Sequence, residues 1–417
     1  MPRPLSANMN KSEEKHRVVV TGLGIISSIG IGRKDFWEAA LAGKSGISEI
    51  TSFDTSAFKC KRGGEVKDFN AETYIPKRKA KFLGRASQLA ISAALLALED
   101  AGLTAKSLMP KSRAGVFIGT TMGEKPLEEL VQSWVRGGMT ELDRRRIIQA
   151  SANNLSANVS HYLKTQGQNY LFPTACAAGN YAIGYGFDLI RNGELDHAIA
   201  GGADAFFYVA YVGFQSLYAM ALEKCQPFDK NRKGMMLGEG AGILHLESLD
   251  KAQKRGATIY AEILGYGLSC DAHHATAPHP DGITMVINKA LKETGLTYKD
   301  IDFICTHGTG TPMNDKVECL AIKNVLKERS KDVPINSIKS MLGHPMGAAS
   351  AIEAASCCLT VKDDIIAPTI NYVTPDPECD LDCVPNIARK MKVNIALNNG
   401  FAFGGNNSCL VIKKFNG

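Results

Sequence analysis

Four short stretches of the chain set reactive side chains beside Gly-rich turns. Phe172–Asn180 reads FPTACAAGN, a turn leading into a run of Ala and Gly, with Tyr181, Ile183, Leu189 and Ile190 following. A cysteine at the start of such a helix faces unpaired backbone N–H groups and the positive end of the dipole, which favours thiolate. By itself, a lone cysteine such as Cys176 is far more often a small buried hydrophobe. Ile304–Pro312 reads ICTHGTGTP and sets His307 just after an apolar strand. The glycines behind it permit close approach of a ligand, and the hydroxyls of Thr309 and Thr311 can grip an amide-bearing chain. Ile335–Ala349 reads INSIKSMLGHPMGAA, with Lys339 and His344 five apart across a Gly turn, so that both can point into one cavity. Asn398–Asn407, NNGFAFGGNN, reads either as a movable apolar flap over a site or as a Gly-rich turn before the last strand.

The elements that must position these residues alternate between strand and helix. Val18–Val20, Ala114–Ile118, His197–Ala200, Gly242–Glu247, Ile301–Thr306 and Ser408–Ile412 read as short buried strands. Helical periodicity runs through Phe36–Ala42, Ser87–Ala101, Asn153–Leu163, Met285–Thr294, Val317–Lys327 and Ala351–Leu359. Such alternation predicts a layered α/β architecture. An internal repeat sharpens this. VVTGLGIIS at Val19–Ser27 is matched by EILGYGLS at Glu262–Ser269, and LEDAGLT at Leu98–Thr104 by LKETGLT at Leu291–Thr297. The order of elements is the same in both halves, which predicts two similar lobes about a pseudo-dyad, the first carrying an insertion within residues 45–85.

Composition bounds the function classes. The 417 residues are 45% apolar and 22% charged, enough for a large core, and the net charge of +6 is too modest to indicate nucleic acid. The 11 Cys follow no metal-ligand pattern and Cys357–Cys358 falls in an apolar helical run, as expected of a reduced cytoplasmic chain. No apolar run of membrane-spanning length is present, and residues 1–16 read as a flexible polar extension without signal-peptide character.

Taken in order, the TAC, HGTGTP, KSMLGHPMGA and FGG motifs resemble those of the β-ketoacyl-acyl-carrier-protein synthases of the elongating type II class, from about residue 17 to the C-terminus. The resemblance implies a duplicated thiolase-like fold, layered α-β-α-β-α, with a nucleophile lobe at 17–260 and a lobe with two catalytic His at 261–417. It implies that Cys176 takes the acyl chain, that His307 and His344 bind the malonyl thioester and assist decarboxylation, and that Lys339 sets the protonation of His344. Asp315 and Glu318 belong to the surrounding network. The backbone N–H groups of Cys176 and Phe403 would form the oxyanion hole. Thr309 and Thr311 match pantetheine-binding positions, Met122 a position at the acyl pocket, and Phe401 and Phe403 the flap. Glu353 matches a residue that helps hold a structural monovalent cation; no catalytic metal and no tightly bound cofactor are implied, since phosphopantetheine arrives on the acyl carrier protein.

Two departures from the family pattern bear on specificity. Ala402 stands where Gly usually separates the two aromatics, which narrows backbone freedom in the flap. Cys305-Thr306 replaces the common Glu-Ala before His307. Together with the TACAAGN variant around Cys176, this second departure favours a specialised polyketide or polyene pathway over housekeeping fatty-acid synthesis. The basic runs at Lys77, Arg78, Lys79 and Lys81 and at Arg144, Arg145 and Arg146 match places where relatives dock the acidic carrier protein. A homodimer is expected, or a heterodimer with a chain-length-factor-like subunit. Competing readings are a malonyl-carrier decarboxylase of a branching cassette and a non-catalytic chain-length partner. An NAD-dependent dehydrogenase does not fit, because Ser27 stands at the third Gly position of its fingerprint.

Overall fold

The computed structural model describes residues 15–124, 126–138 and 144–417, without the side chains of 126–129, 133 and 144–146. Ten main strands build one large sheet: β1 (Val18–Ser27), β2 (Ala114–Gly119), β3 (Asn169–Phe172), β4 (His197–Asp204), β5 (Gly240–Ser248), β6 (Ala261–Cys270), β7 (Phe303–Cys305), β8 (Ile335–Asn336), β9 (Ile395–Phe401) and β10 (Asn406–Lys413). Their spatial order is β8-β7-β9-β10-β6-β1-β5-β4-β2-β3. Reading outward from the centre, each half runs through its first, fifth, fourth, second and third strand. The duplication anticipated from the two Gly-x-Gly strands is therefore present in the topology, and those strands, β1 and β6, meet at the pseudo-dyad with Val18 opposite Ile263. The fold is the duplicated thiolase-like α/β fold.

Five main helices layer this sheet: α1 (Arg85–Asp100), α2 (Ala178–Arg191), α3 (Pro280–Thr294), α4 (Pro312–Leu326) and α5 (Ala349–Asp363). Strand β1 is buried along its full length, as a strand covered on both faces must be. Helix α1 packs on β1, β4 and β5, and α3 on β6 and β10, forming outer layers. Helices α2 and α5 contact each other and strands of both halves, which makes them the middle layer. Their composition explains the placement: every residue of α5 from Ala349 to Val361 is buried, and most are Ala, Ser or Cys, including Cys357 and Cys358. At Gly179 of α2 a Cβ would come 2.6 Å from the backbone N of Ala351, so only glycine admits this crossing.

Most strands and helices lie where the sequence predicts them but run longer. Two strands escape that prediction. Edge strand β3 is only four residues long, and β9 runs through Asn398, Asn399 and Gly400 to Phe401, where a flap or loop was expected. The turn proper is confined to residues 402–405. Residues 45–85 form a small two-stranded sheet (Ser48–Glu49 with Arg62–Gly63) and short helical turns outside the main sheet.

Candidate active site

Cys176 and His344 sit on the two copies of one structural unit. In the first half, strand β3 ends, Ala175 adopts a left-handed φ of 50°, a 3-10 turn spans Ala175–Ala177, and α2 begins. In the second half, β8 ends, Met346 adopts φ 47°, a 3-10 turn spans Met346–Ala348, and α5 begins. A non-glycine residue held at positive φ is strained, and here each such residue turns a reactive side chain inward. Because α2 and α5 cross in the middle layer, the turns face each other. Cys176 Sγ lies 3.1 Å from His344 Nε2.

His307 completes the cluster from the end of β7. Ligand atoms of Cys176, His307 and His344 all lie within 4.8 Å of one another, and the two imidazoles stand edge to face with centroids 5.4 Å apart. Glu318 of α4 fixes the His307 loop through its backbone: Oε1 accepts from His307 N–H and Oε2 from Gly308 N–H, both at 2.8 Å. Asp315 does the same one turn earlier, accepting from Gly310 and Phe228 N–H. The hydroxyls of Thr309 and Thr311 lie 2.9 Å apart, and Thr311 also caps α4.

Electrostatics define the resting protonation. Burial, reinforced by the Lys339 charge, holds His344 well below the ordinary imidazole value, and His307 likewise, with His344 adding to the effect. Both rings are neutral at pH 7. His344 Nδ1 accepts from Met346 N–H at 3.2 Å, so the proton sits on Nε2, facing the sulfur. Burial pushes the Cys176 thiol up to about 12, the nearby Lys339 charge opposing. The thiolate anticipated from the helix start is therefore not the resting form; full burial outweighs the dipole.

Lys339 lies outside the cavity that it was expected to line. It forms a fully buried ion pair with Glu353 of α5, whose carboxyl burial raises to about 7. Lys339 meets only one oxygen of Glu353; the other, Oε2, is buried without a hydrogen-bond partner among the described residues, the kind of oxygen the expected monovalent cation would take.

A cavity of about 270 Å³ opens onto Cys176, His307 and His344 and is lined further by Thr309, Thr311, Phe401 and Phe403. Phe401 is buried with its ring 5.8 Å from His307, whereas Phe403 is about a third exposed at the rim, its ring 5.7 Å from Phe214. Positive φ is confined to Gly404 and Gly405 in this turn, so Ala402 is accommodated without strain. The Phe403 N–H takes no partner among the described residues. Met122 does not line this cavity; it lies half-buried on the turn after β2, its N–H donating to Asp204.

Asp204 was missed in the sequence. At the end of β4 it accepts from Thr120 Oγ1, Thr121 N–H, Met122 N–H and Gly347 N–H, tying the turn after β2 to the turn of His344. Burial raises its carboxyl to about 6. An acid closing the Gly-Ala strand GGAD was the available signal. Lys77, Arg78, Lys79 and Lys81 are exposed, while the side chains of Arg144, Arg145 and Arg146 lie outside those described.

The fold and this Cys-His-His cluster define a condensing enzyme. Residues 15–252 match the β-ketoacyl synthase N-terminal domain and residues 260–373 its C-terminal domain. The chain is 42% identical to 3-oxoacyl-[acyl-carrier-protein] synthase 2 of Synechocystis sp., over 96% of this chain and 99% of that one, and 41% identical to the synthase 2 of Staphylococcus aureus at the same coverage. It superposes on the ishigamide ketosynthase/chain length factor with a TM-score of 0.93 at 44% identity, covering 96% of this chain and all of that chain. With a type II polyketide ketosynthase solved in complex with its acyl-carrier protein the values are 0.89 and 33%, at the same coverage. The chain belongs to the β-ketoacyl synthase family and is an acyltransferase of that family. Among the described residues, no helix is long and apolar enough to cross a membrane.

Proposed function

We propose that this synthase joins an acyl group on Cys176 to a malonyl unit carried by an acyl carrier protein. The observation that carries this is the 3.1 Å approach of His344 Nε2 to Cys176 Sγ with a second neutral imidazole, His307, beside it. The thiol attacks the carrier-bound thioester, and the carrier thiol leaves with the proton. Malonyl-carrier then enters past Thr309 and Thr311. Loss of CO₂ leaves an enolate whose oxygen takes N–H donation from the imidazoles. The enolate carbon attacks the acyl-Cys176 carbonyl, the N–H groups of Cys176 and Phe403 receive the oxyanion, and Cys176 is expelled.

A specialised polyketide or polyene pathway is favoured by Cys305-Thr306, by the TACAAGN sequence around Cys176, and by the 44% identity to the ishigamide ketosynthase/chain length factor. The acidic carrier docks on the basic Lys77–Lys81 face and on the arginines 144–146. A second subunit, identical or chain-length-factor-like, pairs along the open edge of β3, where Tyr170 is half exposed. The enzyme works in the cytoplasm. A decarboxylase or silent-partner reading has no need of a nucleophile against His344. Incubation with an acyl-carrier donor should add one acyl mass to the peptide containing Cys176. Malonyl-carrier should then discharge it as a carrier-bound product two carbons longer. An acyl mark that never forms, or never discharges, contradicts the proposal.

A further inference from the structure

A buried polar group on the turn after β2 is not used by the condensation. Glu124 follows β2 on the turn that Asp204 holds, and it is almost fully buried. One carboxyl oxygen takes the hydroxyl of Ser87 from α1; Ser87 in turn receives Asn158 Nδ2 at 2.9 Å, and Asn158 also donates to Gln149 at 2.9 Å. The other oxygen, Oε2, is buried with no hydrogen-bond partner among the described residues. Nor is it alone: Thr121 Oγ1 and Thr174 Oγ1 are buried and unpartnered too.

These atoms cluster by topology. Strands β2 and β3 are parallel with Gly119 opposite Phe172, and Thr120 N–H donates to Phe172 O at 3.0 Å. The turn with Thr121 and Glu124 and the segment with Thr174 therefore leave the sheet side by side, Thr174 two residues before Cys176. Both the Glu124 carboxyl and the Cys176 thiol feel the charge of Asp204. Buried polar atoms cost free energy unless something satisfies them, and three orphans at one end of two adjacent strands ask for a polar guest. Burial raises the Glu124 carboxyl to about 8, so at pH 7 it can donate as well as accept.

We propose that Glu124 determines acyl specificity: its free carboxyl oxygen hydrogen-bonds an oxygen substituent, keto or hydroxyl, on the chain carried by Cys176. Met122, on the same turn and packed into the apolar core, supplies the hydrocarbon wall before it. The site selects oxygenated chains over saturated ones of equal length, since a chain without oxygen leaves Glu124 unpaired. This rests on the reading of Cys176 as the acyl carrier.

The test is acylation of Cys176 by acyl-pantetheine donors of one length, saturated or bearing a single keto or hydroxyl group at successive positions. Wild type should favour at least one oxygenated donor by about tenfold in kcat/KM, the worth of one hydrogen bond in a dry site. In Glu124→Leu that ratio should fall to about one, and in the isosteric Glu124→Gln, which keeps a donor and an acceptor, most of it should survive. A ratio of one in wild type overturns the proposal, as does a ratio untouched by Glu124→Leu. Should Glu124→Leu not fold, loss of the preference in folded Glu124→Gln overturns it. A dimer dissociated by folded Glu124→Gln with the ratio intact would show that Oε2 serves a subunit contact instead. Wild type that no donor acylates overturns the assignment of Cys176, and this proposal with it.

Discussion

Glu318 holds His307 by the backbone rather than by the ring: its two carboxyl oxygens take the N–H groups of His307 and Gly308 at 2.8 Å each. The imidazole stays free for substrate, while the loop that aims it is clamped from α4. Burial raises the Glu318 carboxyl to about 7, the two N–H donors opposing. Glu318→Gln replaces one acceptor oxygen with an amide that confronts a backbone N–H. Malonyl decarboxylation should fall about 10–100-fold, the usual effect of loosening a group that orients a functional imidazole. Acylation of Cys176 should fall less. Parallel kinetics of the two half-reactions check this, and equal losses would count against a role specific to His307.

The state of Cys176 is open to direct titration. With the thiol raised to about 12, the rate of alkylation by iodoacetamide should climb about tenfold per pH unit from 7 to 10. Lys339 lowers that value, so Lys339→Met should slow alkylation at every pH. The same change strands Glu353 in the core and should cost about 3–5 kcal/mol of stability, read by denaturant titration. A plateau in alkylation at neutral pH would show a resident thiolate and contradict the account.

Charge reversal of Lys77, Arg78, Lys79 and Lys81 should raise the KM for carrier-bound substrates and weaken its dependence on salt. Small acyl-pantetheine donors do not need the surface and should be affected little. These four side chains are exposed, with Lys77 near Glu72 and Lys79 over the Tyr162 ring. Loss with both substrate types would indicate a folding defect.

How much of this could be read in the sequence depended on range. Cys176, His307 and His344 each follow a strand through a local turn, and local turns leave legible residue patterns such as TAC and GHPMG. The duplicated strands β1 and β6 announced the lobes because the same Gly-x-Gly recurs in each. What failed was long-range. Asp204 acts by gathering backbone N–H groups from residues 120–122 and 347, which no local pattern displays. Lys339 and Glu353 are 14 residues apart and pair only because α5 folds back under the turn. Strand β9 hid behind Asn398 and Asn399, buried polar residues that break the apolar run.

The flap offers a test of motion. Phe403 leans on Phe214 at the rim, and its turn hinges on Gly404 and Gly405, while Ala402 N–H is tied to Asn406 O at 2.9 Å. Ala402→Gly should speed acylation by long donors more than by short ones. It should cost only about 0.4–1 kcal/mol in stability through the unfolded state. Stopped-flow acylation alongside thermal melts separates these effects; unchanged rates for every donor would mean a static turn.

In the proposed mechanism two neutral imidazoles make the enolate while sulfur only holds the acyl chain. This division is tested most directly by Cys176→Ala, following CO₂ release from malonyl-carrier and formation of the elongated product in the same reaction. Release of CO₂ should continue at a measurable rate while elongation falls below detection. Elongation near the wild-type rate, or abolition of decarboxylation in a folded variant, would contradict the account.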